Sequence, residues 1–333
     1  MPGHAARALA LQIGGPDDGD PPRPAPPDLR SPLGFSGVAG QTGVVVTLDG
    51  EVLDPGMPVL YADDLAALRG DGVFETLLVR DGRACLIESH LQRLTQSAKL
   101  MDLAEPDLPA WRQAIQVATQ QWVTATDDEA AMRLVYSRGR ESAMAPTGYV
   151  MVKPIPDRVA AVRRDGVSAI TLDRGLPANG VDAMPWLLAG AKTLSYAVNM
   201  AVLRHAAKQG AGDVIFVSSD GYILEGPRST VVIAVAGDGA GDDRPCLLTP
   251  PPWYPILRGT TQQALFEVAR ASGYDCDYSA LRVADLVAAQ GIWLISSMTL
   301  AARVHTLDGR HLPRASFADA FAGLIDAAIS SDR

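Results

Sequence analysis

Three Asp-Gly pairs, Asp49-Gly50, Asp81-Gly82 and Asp220-Gly221, each follow or separate runs of β-branched and apolar residues, and they constrain the fold most. Asp-Gly tolerates the left-handed backbone that a tight turn between antiparallel strands requires. Val44-Val45-Val46-Thr47-Leu48 therefore turns back into Glu51-Val52-Leu53, the run 70–80 turns at Asp81-Gly82, and 213–219 returns as 222–225. Between these hairpins the apolar period lengthens. Leu91, Leu94, Ala98 and Met101 recur every three to four residues, which predicts an amphipathic helix over 88–103. Further helices are expected over 108–123, 195–208 and 261–272, and strands at 132–137, 148–152 and 291–296. The mixture is α+β or α/β, and no internal repeat is present.

Composition shifts divide the chain. Residues 1–36 carry the run from Gly15 to Pro22 and then Pro24, Pro26 and Pro27, and read as a flexible Pro-rich extension. Residues 37–172 form a smaller N-terminal α/β domain. The stretch 173–188, rich in Gly, Pro and Asn, is an interdomain connection, and 189–333 form a larger C-terminal domain.

The formal charge of -9 argues against nucleic acid as a partner. No apolar stretch is long enough for a bilayer, and no basic segment leads into an apolar one at the start, so a cytoplasmic protein is expected. Cys85, Cys246 and Cys276 are dispersed and read as reduced thiols. The five histidines are equally scattered, so no metal is expected.

Taken singly, the polar candidates are ordinary. Lys192 reads as a solvated charge, Glu225 as a strand-edge carboxylate, Thr260 and Thr261 as a helix cap, and Arg93 as the wet face of its helix. Their order changes the reading. Gly70-Asp71-Gly72-Val73-Phe74-Glu75-Thr76 precedes His90-Leu91-Gln92-Arg93-Leu94. Leu188-Ala189-Gly190-Ala191-Lys192-Thr193-Leu194 then precedes Asp220-Gly221-Tyr222-Ile223-Leu224-Glu225-Gly226 and Ile256-Leu257-Arg258-Gly259-Thr260-Thr261. From about Val44 to Arg310 the chain resembles the class IV aminotransferase-like family of pyridoxal-phosphate enzymes.

The resemblance implies fold type IV, a small α/β domain plus a larger pseudo-barrel domain that binds the cofactor, in a homodimer. It implies that Lys192 forms the Schiff base with pyridoxal 5'-phosphate, chemistry that needs an amine able to shed its proton. Glu225 would face the pyridine nitrogen and favour its protonated form. Arg93, Gly259, Thr260, Thr261 and Ser297 would hold the phosphate through charge, hydroxyls and a helix start. Two positions depart from the family pattern: Thr230 stands where asparagine is frequent, and Gln262 where arginine is.

The reaction is read from local features. The turn Ser137-Arg138-Gly139-Arg140 lacks the histidine of the D-amino-acid aminotransferase carboxylate trap. Thr193-Leu194-Ser195-Tyr196 replaces the Gly-Gly-Asn-Tyr of branched-chain aminotransferases. The approach from Leu187 to Lys192, and Ile295-Ser296-Ser297-Met298, are more similar to aminodeoxychorismate lyase. That enzyme splits 4-amino-4-deoxychorismate into pyruvate and 4-aminobenzoate, with Arg133 and Arg138 as candidates for the substrate carboxylates and Arg140 a surface charge. The alternatives are an aminotransferase of D-amino or branched-chain amino acids, which needs an α-keto acid acceptor, and a non-catalytic or nucleotide-binding protein. The phosphate-loop pattern fails, with Pro at 185.

Overall fold

Each of these three Asp-Gly pairs is a turn in the computed structural model, which describes residues 43–143, 145–237 and 244–330. The extension 1–36 lies outside the described residues. Gly50, Gly82 and Gly221 all have positive φ, and Asp81 joins Gly82 at φ 51° and 73°, the two left-handed residues a tight hairpin needs.

The first sheet is antiparallel. Strands β1 (Val44–Thr47) and β2 (Val52–Leu53) form the first hairpin. Helix α1 (Leu65–Arg69) leads into β3 (Gly72–Arg80), which turns into β4 (Arg83–Ala84). Helices α2 (Ile87–Leu100) and α3 (Leu108–Ala125) follow, then β5 (Ala130–Ser137) and β6 (Thr147–Pro154). The strand order is β2-β1-β6-β5-β3-β4. One face packs under α2 and α3 through Leu77, Leu91, Leu94, Trp111, Ile115 and Trp122. Removing such side chains from water supplies the main driving force for the layer.

Helix α4 (Asp157–Asp165) and strand β7 (Val167–Asp173) begin the second half. Next come α5 (Ala197–Lys208), β8 (Asp213–Val217), β9 (Thr230–Val235) and β10 (Cys246–Thr249). Helix α6 (Thr260–Ala271), β11 (Cys276–Tyr278), α7 (Val283–Ala288) and β12 (Gly291–Ser296) follow. The described chain closes with β13 (Leu300–Leu307), β14 (Arg310–His311) and α8 (Ala318–Ser330). The eight-stranded sheet runs β11-β10-β9-β12-β13-β7-β8, with β14 on β13. Helices α6 and α8 cover one side of it, where Trp293 stacks on Phe321 at 4.1 Å.

Strand β7 lies parallel to β13 and β8, so it belongs to the second sheet. The change of sheet therefore falls at α4, earlier than the boundary after residue 172 that composition suggests. Among the described residues no helix is long and apolar enough to cross a membrane.

Candidate active site

The alternation of β3 puts Val73, Glu75 and Leu77 on the face beneath α2, so a carboxylate enters an apolar layer with no exposure. Burying it is unfavourable unless it is paired. Helix α2 supplies the partners from a polar stripe, His90, Arg93 and Ser97, set at helical spacing on its buried face. Arg93 donates from Nε to Glu75 Oε1 and from Nη2 to Oε2, both at 2.7 Å, and His90 Nδ1 lies 2.7 Å from Oε2. Burial alone would raise the Glu75 carboxyl, but the charge and hydrogen bonds of Arg93, with the hydrogen bond from His90, hold it well below the usual carboxylate range.

The same helix fixes Lys192. Ser97 Oγ accepts from the Lys192 amide at 3.0 Å, and the Lys192 carbonyl accepts from the Phe74 amide at 3.0 Å. The approach passes through Leu188 and Gly190 at φ 52° and 85°. The Lys192 amine stands 4.5 Å from the centroid of the Phe74 ring, which also meets Tyr196 edge-on at 5.4 Å and Arg133 at 5.8 Å. Desolvation, with Arg93 nearby, pushes this amine down to about 8, against the opposing pull of Glu75 and Glu225.

Glu225 enters from the second sheet. It lies just beyond the turn at Asp220-Gly221, outside any named strand, with its carbonyl accepting from Phe216 N on β8 at 2.8 Å. Burial pushes its carboxyl up to about 7, although Oε2 accepts from the Leu257 amide at 3.0 Å. Lys192 and Glu225 are set deep in the protein yet keep part of their surface accessible, as groups lining a recess do.

Helix α6 starts at the same recess with no side-chain cap at Gly259. Its first-turn N–H groups and its dipole favour an anion. Thr260 and Thr261 are buried there. Thr260 Oγ1 and Ser297 Oγ each lie 3.3 Å from His90 Nε2, and Ser297 Oγ lies 3.4 Å from Thr261 Oγ1. Arg93 Nη1 reaches the Arg258 carbonyl at 2.8 Å, tying α2 to the loop before α6. Gly259 has no room for a side chain, because a Cβ there would meet Thr230 Oγ1 at 2.3 Å. Thr230 and Gln262, the two departures from the family pattern, thus meet at Gly259, beside a cavity of about 130 Å³.

Lys192 lies within electrostatic reach of Arg93, Glu225 and Arg133, Arg93 ties to the Arg258 carbonyl beside Gly259, and Thr260, Thr261 and Ser297 cluster at His90. Arg138 is engaged elsewhere: it donates to both Asp71 oxygens and to the carbonyls of Met101 and Asp102. Arg140 pairs with Asp63 and lies over the Tyr61 ring. Glu75, His90, Ser97 and Phe74 are part of the site although sequence reasoning did not single them out. Glu75 and His90 stood inside the quoted motifs, and the signal was a charged residue at an inward position of an otherwise apolar strand.

The donor set fits pyridoxal phosphate: an uncapped helix start, three hydroxyls and a guanidinium for a phosphate, a carboxylate for a ring nitrogen, and an amine with a lowered pKa.

Comparison with known proteins identifies the family. Residues 72–307 match the family described as amino-transferase class IV. The chain is 79% identical over 290 residues to a Mycobacterium tuberculosis protein named bifunctional aminodeoxychorismate lyase / D-amino acid transaminase, covering 87% of this chain and 100% of that one. A solved structure of a hypothetical aminotransferase from M. tuberculosis, bound to alpha-ketoglutarate and PMP, superposes with TM-score 0.83 at 78% identity, covering 87% of this chain and 100% of its own. A fold IV-transaminase from Curtobacterium pusillum superposes with TM-score 0.79 at 39% identity, covering 87% and 97%.

Proposed function

Because the chain belongs to the amino-transferase class IV family, we propose that it is a pyridoxal-phosphate enzyme that splits 4-amino-4-deoxychorismate into pyruvate and 4-aminobenzoate, and that the same site transaminates D-amino acids with an α-keto acid. One structural observation carries the reading. The Lys192 amine, lowered to about 8, is within electrostatic reach of Glu225 and of Arg93, whose guanidinium bonds the Arg258 carbonyl just before the uncapped start of α6. The identity to the M. tuberculosis bifunctional enzyme supports both activities, and the alpha-ketoglutarate and PMP complex of a 78% identical protein supports the second.

Bound at this site, the cofactor supplies a carbonyl for the substrate amine and a ring that takes up electron density. The protein does the rest. Arg93, the first amides of α6 and the hydroxyls of Thr260, Thr261 and Ser297 hold the phosphate. Glu225 faces the ring nitrogen, and a cationic N–H there would draw it to its charged form. Lys192 Nζ gives or takes a proton near neutral pH, which general acid–base work requires. Phe74 presents an apolar face that keeps water from the amine, and Arg133 receives a substrate carboxylate.

Family resemblance extends the proposal to a cytoplasmic homodimer that supplies a folate precursor. The test is an assay of the cofactor-loaded protein on 4-amino-4-deoxychorismate without a keto acid. Release of 4-aminobenzoate and pyruvate, lost in Lys192→Ala, is the expected result. A loaded enzyme that gives no product but converts D-alanine with α-ketoglutarate would overturn the lyase half alone.

A further inference from the structure

His90 is almost completely enclosed, and it touches both the Glu75–Arg93 pair and the hydroxyls at the start of α6. Its two ring nitrogens face different chemistry. Nδ1 lies 2.7 Å from Glu75 Oε2, an oxygen that already accepts from Arg93. A carboxylate only accepts, so Nδ1 must carry a proton. Burial lowers the His90 pKa despite the charge of Glu75, which favours the neutral imidazole. A neutral ring has a single N–H, so Nε2 is a lone pair with nothing to donate.

That lone pair lies 3.3 Å from Thr260 Oγ1 and 3.3 Å from Ser297 Oγ, and Ser297 Oγ is 3.4 Å from Thr261 Oγ1. A hydroxyl proton is free to rotate, and an anion is bound best by donors that already point at it. By accepting a hydrogen bond from one of these hydroxyls, Nε2 removes the freedom of the cluster.

We infer that His90 is a positioning residue for the phosphate site: anchored on Glu75 through Nδ1–H, it accepts a hydrogen bond at Nε2 from Thr260 or Ser297 and so fixes the arrangement of the hydroxyl cluster formed with Thr261. The inference rests on the cofactor reading above. Glu75 therefore acts at the phosphate without touching it, through the tautomer it imposes on His90.

The experiment compares two amides that each mimic one ring nitrogen. The amide of His90→Asn matches Nδ1 and keeps the bond to Glu75; that of His90→Gln reaches the position of Nε2 and offers an acceptor to the hydroxyls. Apoenzymes are titrated with pyridoxal phosphate and with inorganic phosphate as competitor, following intrinsic fluorescence. The expected result is affinity for both anions weakened about tenfold in His90→Asn, the worth of one hydrogen bond, and largely restored in His90→Gln. The reverse order would show that His90 serves only Glu75 and would overturn the inference. The ¹⁵N spectrum of histidine-labelled wild-type holoenzyme decides independently of any variant: a neutral ring protonated at Nδ1 supports the inference, and a proton at Nε2 overturns it. A wild-type apoenzyme that takes up no pyridoxal phosphate would overturn the cofactor reading itself.

Discussion

Arg93 holds Glu75 by both carboxylate oxygens, each at 2.7 Å, across the seam between α2 and β3. Both groups are buried, so removing one leaves the other charged without its counter-ion. Glu75→Gln is expected to destabilise the protein by about 3–5 kcal/mol, read as a shift in the urea midpoint. The Glu75 pKa is depressed on folding, so its contribution is present above the unfolded carboxylate range and is lost only as pH falls through the much lower folded value. An acid titration in which Glu75→Gln follows the wild type at every pH would refute this.

Lys192 and Glu225 set a pH profile with a minimum. Glu225 titrates at about 7 when folded against 4.5 as a free carboxyl, so the folded state keeps a proton the unfolded state has lost, and stability falls as pH rises between them. Lys192 titrates at about 8 against 10.5, so the folded state has released a proton the unfolded state retains, and stability rises over that interval. The apoenzyme is therefore expected to gain stability on either side of pH 7–8 relative to Lys192→Met, Glu225→Gln, measured by thermal melts across pH. Pulse acetylation of the wild type, read by mass spectrometry, should label Lys192 with a midpoint near 8. Labelling that begins only near the ordinary lysine range would be the contrary result.

At the start of α6, Gly259→Ala drives a Cβ into Thr230 Oγ1, 2.3 Å away. Overpacking of this kind costs about 1–3 kcal/mol, and the shift of the helix start should weaken cofactor retention. Thr230→Ala in the same chain removes the obstructing hydroxyl, so the double variant is expected to be more stable than Gly259→Ala alone. Strict additivity of the two changes would contradict the contact.

Arg163 reaches the Ser297 turn without approaching the recess, donating to the Met298 carbonyl from Nε at 2.8 Å and from Nη2 at 2.6 Å. Its third arm meets Glu129, which Arg80 also holds. Arg163→Met is expected to loosen this turn and raise the pyridoxal-phosphate Kd about threefold to tenfold, while the absorbance of the bound form stays unchanged. An unchanged Kd would show that the turn holds its shape without the arginine.

Arg133 and Arg138 were equivalent candidates in sequence, and the structure separates them. Arg138 is occupied by Asp71 and two carbonyls, whereas Arg133 lies on the exposed side of β5 beside Phe74. Arg133→Met is expected to raise KM for the dicarboxylate substrate about tenfold or more, and Arg138→Met mainly to lower the melting temperature. Equal KM effects from both would place the substrate elsewhere.

The sequence carried the elements with local signals and hid those without. Helix α2 was legible because Leu91, Leu94 and Ala98 repeat at helical spacing, and the first hairpins because Asp-Gly marks their turns. Strand β7 was not, since its partners on β13 lie far along the chain and a parallel pair has no turn to announce it. The site shows the same division. Lys192, Glu225 and the start of α6 are polar residues whose motifs suggest chemistry, but His90, although inside a motif, and Ser97 look like the wet side of α2 from the apolar pattern alone. Only the carboxylate of Glu75 inside the opposing sheet explains why that side is buried.

The backbone of Lys192 is sewn to β3: Phe74 N donates to its carbonyl at 3.0 Å, Leu194 N donates to the Gly72 carbonyl at 2.8 Å, and Val73 bridges Thr193. Sequence order gives this lysine to the C-terminal half, yet mechanically it belongs to the N-terminal sheet, along with Arg93. Glu225 and the helix start remain with the other sheet. The amine and the guanidinium are thus held by one sheet and the carboxylate and hydroxyls by the other, and the Arg93 bond to the Arg258 carbonyl fastens the two sets together.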